Sequence, residues 1–143
     1  MHKVFYASGF LYHEPTQQIL LQQAYDDSPE WSLIGGVSLV RETAEEAFYR
    51  IVFSVLRVKL SFELIYPVYT YNKRNFEKKQ VILYADIDDI SRIRASKDNV
   101  LSWFSRKQIQ KLPLDPQTRQ DLIVGHRVID ARMRKSQGIH VLE

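Results

Sequence analysis

The apolar positions of the chain fall in short blocks separated by polar turn residues. Residues 3–12 (KVFYASGFLY) are dense in aromatic and β-branched types and predict a strand. Glu14-Pro15-Thr16 predicts a turn. Residues 17–24 (QQILLQQA) have helical propensity, but the short length and the preceding turn favour a strand paired with the first in a hairpin. Asp26-Asp27-Ser28-Pro29 reads as a loop. Apolar residues at 47, 48, 51, 52, 55, 56 and 58 recur with helical spacing and predict a helix over 43–58. Glu42-Thr43 marks its start, and Glu45 and Glu46 sit in the first turn, where the helix dipole favours acids. Glu46 and Arg50 stand one turn apart with the polarity of a favourable ion pair.

Residues 60–71 predict one or two strands broken at Pro67, with a turn over 72–75. Residues 80–88 (QVILYADID) are the strongest strand pattern in the chain. The segment 100–111 contains Trp103-Phe104 and runs into a short helix that residues 112–116 stop. Asp115-Pro116 then supplies a cap and first position for a last helix over roughly 116–134. Strands, helix, strands, helix imply a layered α+β or α/β domain.

Composition narrows the classes. The chain has 143 residues, the expected size of a single domain over 1–143, and 45% apolar content, enough for a core. It has no cysteine, which excludes disulfides, thiolate metal sites and cysteine nucleophiles. No apolar run approaches the ~18 residues of a membrane helix. The N-terminal apolar run soon meets His13 and Glu14, a poor secretory signal, so a cytoplasmic location is expected. Residues 101–143 carry 8 basic and 4 acidic groups, against 12 and 13 in residues 1–100. The basic run from Arg127 to Lys135 reads as a solvated helix face or as a contact for phosphates.

The most informative stretch is residues 31–50, Trp31-Ser-Leu-Ile-Gly35-Gly36 through Glu42-Thr43-Ala-Glu45-Glu46-Ala47 to Arg50. It resembles the signature of the Nudix (MutT-like) superfamily, in which a glycine, a glutamate and an arginine recur at fixed spacing ahead of a glutamate-rich turn of helix. Gly36, Glu42 and Arg50 fall in that register without a gap. The resemblance implies an α/β fold, an α/β/α sandwich with a mixed central sheet. It also implies hydrolysis of nucleoside-diphosphate derivatives with Mg²⁺ or Mn²⁺. Glu42 and Arg50 would be the catalytic pair, with Glu42 also a metal ligand. Gly35, Gly36, Tyr12 and Trp103 are the expected ligand-binding residues. The partners implied are a nucleotide or nucleoside-diphosphate derivative and a second copy of the chain in a homodimer. Neither nucleic acid nor a membrane is expected.

One departure bears on the chemistry. Ile51, Ser54 and Val55 occupy the three positions where the signature has glutamates, and Arg57 replaces its closing glycine. Those three positions share one helix face, and Mg²⁺ needs hard oxygen ligands there. The expected consequence is a degenerate box that binds a nucleotide or a partner with hydrolysis impaired. The alternative is an active hydrolase with displaced acidic ligands, drawn from Glu77, Asp86, Asp88, Asp89 and Asp98. Asp86, Asp88 and Asp89 read most simply as solvated turn acids. Ile51 and Val55 would pack under a loop or face a partner. Gly35, Gly36, Glu42 and Arg50 each have a structural reading as well: glycine backbone angles, a charged helix start, and pairing of Arg50 with Glu46 or Glu42. His2, His13, His126 and His140 show no metal-ligand spacing. Phe10, Tyr25 and Tyr84 join Tyr12 and Trp103 as candidates to stack on a base, against the commoner role of core aromatics.

Overall fold

In the computed structural model, residues 3–24, 29–72, 78–93 and 99–136 are described. The strands are β1 (Tyr6–His13), β2 (Gln18–Ala24), β3 (Ile34–Val37), β4 (Ile65–Asn72), β5 (Lys79–Asp86) and β6 (Asn99–Ser105). The helices are α1 (Ala44–Leu56), α2 (Arg106–Ile109) and α3 (Pro116–Ser136).

Residues 18–24 form a strand, as the hairpin reading expects. β1 and β2 pair antiparallel with Leu11 opposite Leu20. Ile19, Leu20 and Leu21 are all buried and alternate between the two faces of the sheet, which a solvated helix could not satisfy. The sheet order is β4-β5-β1-β2-β6, and β3 lies beside the first half of β1, with Gly36 opposite Ala7 and Gly35 opposite Ser8. β5 runs parallel to β1 along its whole length, from Tyr6 opposite Gln80 to Tyr12 opposite Asp86. The other pairs are antiparallel, so the sheet is mixed.

Alternation along β1 sets the layers. Ala7 and Leu11 face α1 and pack with Phe48 and Val52. Phe10 and Tyr12 face α3 and pack with Leu122 and Ile129. The sheet thus lies between helices, giving the expected α/β/α sandwich. Residues 65–72 make one strand rather than two. Pro67 sits beside a bulge in β4, an edge strand, where its missing N–H is tolerated. The Trp103-Phe104 pair is inside β6, so the segment from 99 is strand before it is helix. Trp103 and Phe104 point to opposite faces, a two-residue period hidden by their adjacency. Among the described residues no helix is long and apolar enough to cross a membrane.

Candidate functional site

The loop from Gly35 to Glu42 is held onto α1 by two polar clamps. Thr43 caps the helix. Its hydroxyl accepts from the Glu46 N–H at 3.1 Å, and the Glu46 carboxylate accepts from the Thr43 N–H at 2.8 Å. Glu46 is therefore committed to the cap, and the expected Glu46–Arg50 pair does not form. Arg50 instead forks onto Glu42, with Nε to Oε2 at 2.9 Å and Nη2 to Oε1 at 3.0 Å. Arg50 Nη2 also donates to the Val37 carbonyl at 3.0 Å, and the Leu39 N–H donates to Glu42 Oε1 at 2.8 Å. The Arg50 hydrogen bonds hold the Glu42 carboxyl below the usual carboxylate range, with the Leu39 N–H adding to the effect and partial burial opposing it.

Next on the helix, Ile51 is 6% exposed and part of the core under α1. A Cβ built on Gly36 would come within 3.2 Å of Ile51 Cδ1. Val55 is half-buried against the same core, and Ser54 is exposed. Ile51 and Val55 therefore follow the packing reading. A Cβ on Gly35 would lie 2.5 Å from Ser8 Cβ, so strand pairing alone requires glycine there. Arg57 follows α1 with φ 59° and ψ 30°, the left-handed conformation of a helix-ending glycine, and its N–H donates to the Phe53 carbonyl at 2.9 Å.

The acids beyond the box do not assemble around this face. Asp86 ends β5 and is half-buried, not solvated. Arg132 of α3 donates to its Oδ2 at 2.6 Å and to the Tyr84 hydroxyl at 2.7 Å. The reading of Asp86 as a turn acid fails because α3 brings a cation to the strand end. The same contact removes Arg132 from the basic face of Arg127–Lys135. Asp88 and Asp89 are exposed, and Asp89 caps a turn of 3-10 helix through the Ser91 N–H. Glu77 and Asp98 lie outside the described residues. Among the described residues no group of three or more His, Asp or Glu could hold a metal ion. A divalent cation does not fit this donor set: Glu42 spends both oxygens on Arg50 and Leu39, and its neighbours on the helix face are Ile51, Ser54 and Val55.

The expected ligand aromatics are not brought together. Tyr12 is 5% exposed on the α3 side of the sheet, whereas Trp103 is half-buried on the α1 side, edge-on to His13 at 5.9 Å. Phe10 and Tyr84 are fully buried and stack on each other at 5.4 Å. Tyr25, His2 and His140 lie outside the described residues. His13 and His126 belong to different layers and form no pair.

Sequence reasoning missed a polar cavity of about 310 Å³ on the α3 side, where β1, β4 and β5 meet the start of α3. Tyr6, Ser8, Ser32, Tyr71 and Gln80 line it opposite Asp121. Asp121 is a carboxylate only 3% exposed. Its Oδ1 accepts from the Tyr69 hydroxyl at 2.6 Å and from Gln117 Nε2 at 2.9 Å. Asp115 also lines the cavity and caps α3, accepting from the N–H groups of Gln117 and Thr118 at 2.9 and 3.0 Å. Burial, then Asp121 and Asp115, push the Tyr71 phenol up to about 12. The described lining holds two acids and no lysine or arginine. Gly35 adjoins it, because its neighbours across the strand pair, Ser8 and Tyr6, are lining residues. A signal existed in the sequence. Asp121 stands in helical register with the buried positions 118, 122, 125 and 129 of α3, a carboxylate on an apolar face.

No family model matches the chain, and no curated protein matches its sequence. Solved structures match its fold. The solution structure of the E. coli ORF135 protein gives a TM-score of 0.69 at 19% identity, covering 92% of this chain and 94% of that one. An Ap4A hydrolase of C. elegans, solved as a binary complex, gives 0.68 at 14% identity over 90% and 99% of the two chains. The Nudix domain of NrtR from Shewanella oneidensis, solved with ADP ribose, gives 0.66 at 17% identity over 90% of each. With the Gly36–Glu42–Arg50 arrangement at its helix start and these structures sharing its layers, the chain has the Nudix fold of MutT-like proteins.

Proposed function

We propose that the chain is a single Nudix-fold domain that binds a nucleotide or nucleoside-diphosphate derivative and has lost ordinary metal-assisted hydrolysis. The observation that carries this reading is the burial of Ile51 against Gly36. It places a hydrocarbon where the resemblance needs a metal-binding carboxylate. The Arg50–Glu42 fork supports it, since the one box glutamate that remains is already used to close the loop.

The polar cavity suits the nucleoside end of such a ligand. Its carboxylates, phenols and amides offer acceptors to ring and exocyclic N–H groups, while its two acids oppose a phosphate. Phosphates would leave past Gly35 toward the loop that ends at Glu42. A second copy is a further proposed partner. The loop after β3 exposes Leu39 and Val40, at 58% and 62%, beside exposed Val37.

The test is a panel of nucleoside triphosphates, dinucleotides and nucleotide sugars, assayed for hydrolysis with Mg²⁺ and Mn²⁺ and for thermal shift in chelator. Binding that survives chelator without turnover is expected. Metal-dependent turnover that Glu42→Gln abolishes would overturn the reading and turn attention to the acids at 77–98.

A further inference from the structure

A second cavity, of about 480 Å³, opens on the α3 side between the β1–β2 turn and helices α2 and α3. It shares no lining residue with the cavity around Asp121. Two polar side chains more than nine-tenths buried reach it. Tyr12 is 5% exposed, with its ring edge-on to Tyr84 in the core, yet its hydroxyl has no hydrogen-bond partner among the described residues. His126 is 9% exposed, and burial, reinforced by Arg106, pushes its imidazole down to about 4, so it is neutral at pH 7. The Tyr12 hydroxyl opens on the cavity, where water or a ligand can pair it.

The charges say what that partner carries. Arg106 and Asp130 neutralise each other in a fork at 2.7 and 3.1 Å. That leaves one acid, Glu14, and one base, Lys107, neither in an ion pair among the described residues. Burial first, then Glu14, Asp86 and Asp130, raise the Tyr12 pKa, and only Arg106 opposes them. Glu14 lines the same cavity, and the Tyr12 hydroxyl oxygen can accept there from a cationic donor. Ile129 and Met133 add an apolar wall. Two acids and two bases balance in the lining, so it favours neither a bare anion nor a bare cation.

We propose that this cavity is a second ligand site, for a small zwitterion bearing an ammonium, a carboxylate and a short apolar side chain, of which a free amino acid is the simplest. The ammonium would sit at Tyr12 and Glu14, the carboxylate at Lys107, and the side chain on Ile129 and Met133.

The experiment is calorimetric titration and thermal shift at neutral pH with free L-amino acids, leucine and methionine included. Each is compared with its N-acetyl and its amide derivative. The expected result is that a free aliphatic amino acid binds, that blocking either end weakens binding about ten-fold, and that adenosine does not displace it. Tyr12→Phe keeps the buried ring and should melt like the parent while binding about five-fold more weakly. No binding by any free amino acid, equal binding of the blocked forms, displacement by adenosine, or an unchanged affinity in Tyr12→Phe would each overturn the proposal.

Discussion

Ile51 and Gly36 are packed so closely that one added carbon on the glycine would approach Ile51 Cδ1 to 3.2 Å. The loop and the helix meet there through hydrocarbon. Ile51→Glu would bury a carboxylate at a 6% exposed position packed against the core. The expected cost is about 2–4 kcal/mol, the range for an unpaired polar group in a core. Urea denaturation reads it directly. Recovery of the lost stability by Mg²⁺ would show that a metal-binding face survives around this position.

The Glu42–Arg50 fork gives a pH signature. The folded-state pKa of Glu42 is depressed, so its contribution is fully present above the unfolded value near 4.3 and is lost as pH falls through the lower folded value. Glu42→Gln should therefore cost about 1 kcal/mol at pH 7, discounted because the Arg50 side chain is 39% exposed. The difference between parent and variant should begin to shrink near pH 4.3 and fade as pH drops through the lower folded value. Melting both proteins from pH 7 to pH 3 checks this.

At Arg57 the chain keeps a left-handed turn without the glycine that makes it easy. The φ of 59° costs an L-residue about 1 kcal/mol. The Arg57 guanidinium lies 6.0 Å from the Phe53 ring, a partial offset. Arg57→Gly should raise stability by about 0.5–1 kcal/mol, visible as a higher melting temperature. A fall would mean that the Phe53 contact outweighs the backbone strain.

The elements with one period were legible in the sequence. α1 could be read because its apolar spacing, the Thr43 cap and the Gly36–Glu42–Arg50 register all agree. Where the reading failed, tertiary contacts decided. Glu46 went to its own helix cap, Asp86 met Arg132 from 46 residues away, and Trp103 and Tyr12 were separated by the sheet. The cavity around Asp121 was not legible as a unit. Its walls come from β1, the segment before β3, β4, β5 and α3, which only the fold assembles.

His126 supplies a second pH dependence, with its own window. Its folded pKa is depressed to about 4, while an unfolded histidine titrates near 6.5. The unfolded chain thus takes up a proton that the folded one resists. Stability is full above about pH 6.5 and declines as pH falls toward 4, by up to about 3 kcal/mol. His126→Gln should flatten that slope, and the Arg106–Asp130 pair should remain. Denaturation midpoints at pH 7, 5.5 and 4.5 measure it.

Asp121 offers the sharpest check on the nucleoside cavity. Asp121→Asn keeps the size of the side chain but removes the charge that accepts from Tyr69 and Gln117. Hydrogen bonds to a charged group are worth about 1.5–3 kcal/mol, so a stability loss at the low end of that range is expected. The effect on ligands should be selective. Nucleosides whose bases present N–H donors should lose about ten-fold in affinity, while those presenting only acceptors should lose little, because the cavity no longer favours donors electrostatically. Calorimetric titration of guanosine and adenosine against fully N-methylated analogues compares the two. Uniform loss across the series would mean that Asp121 shapes the cavity without reading the base.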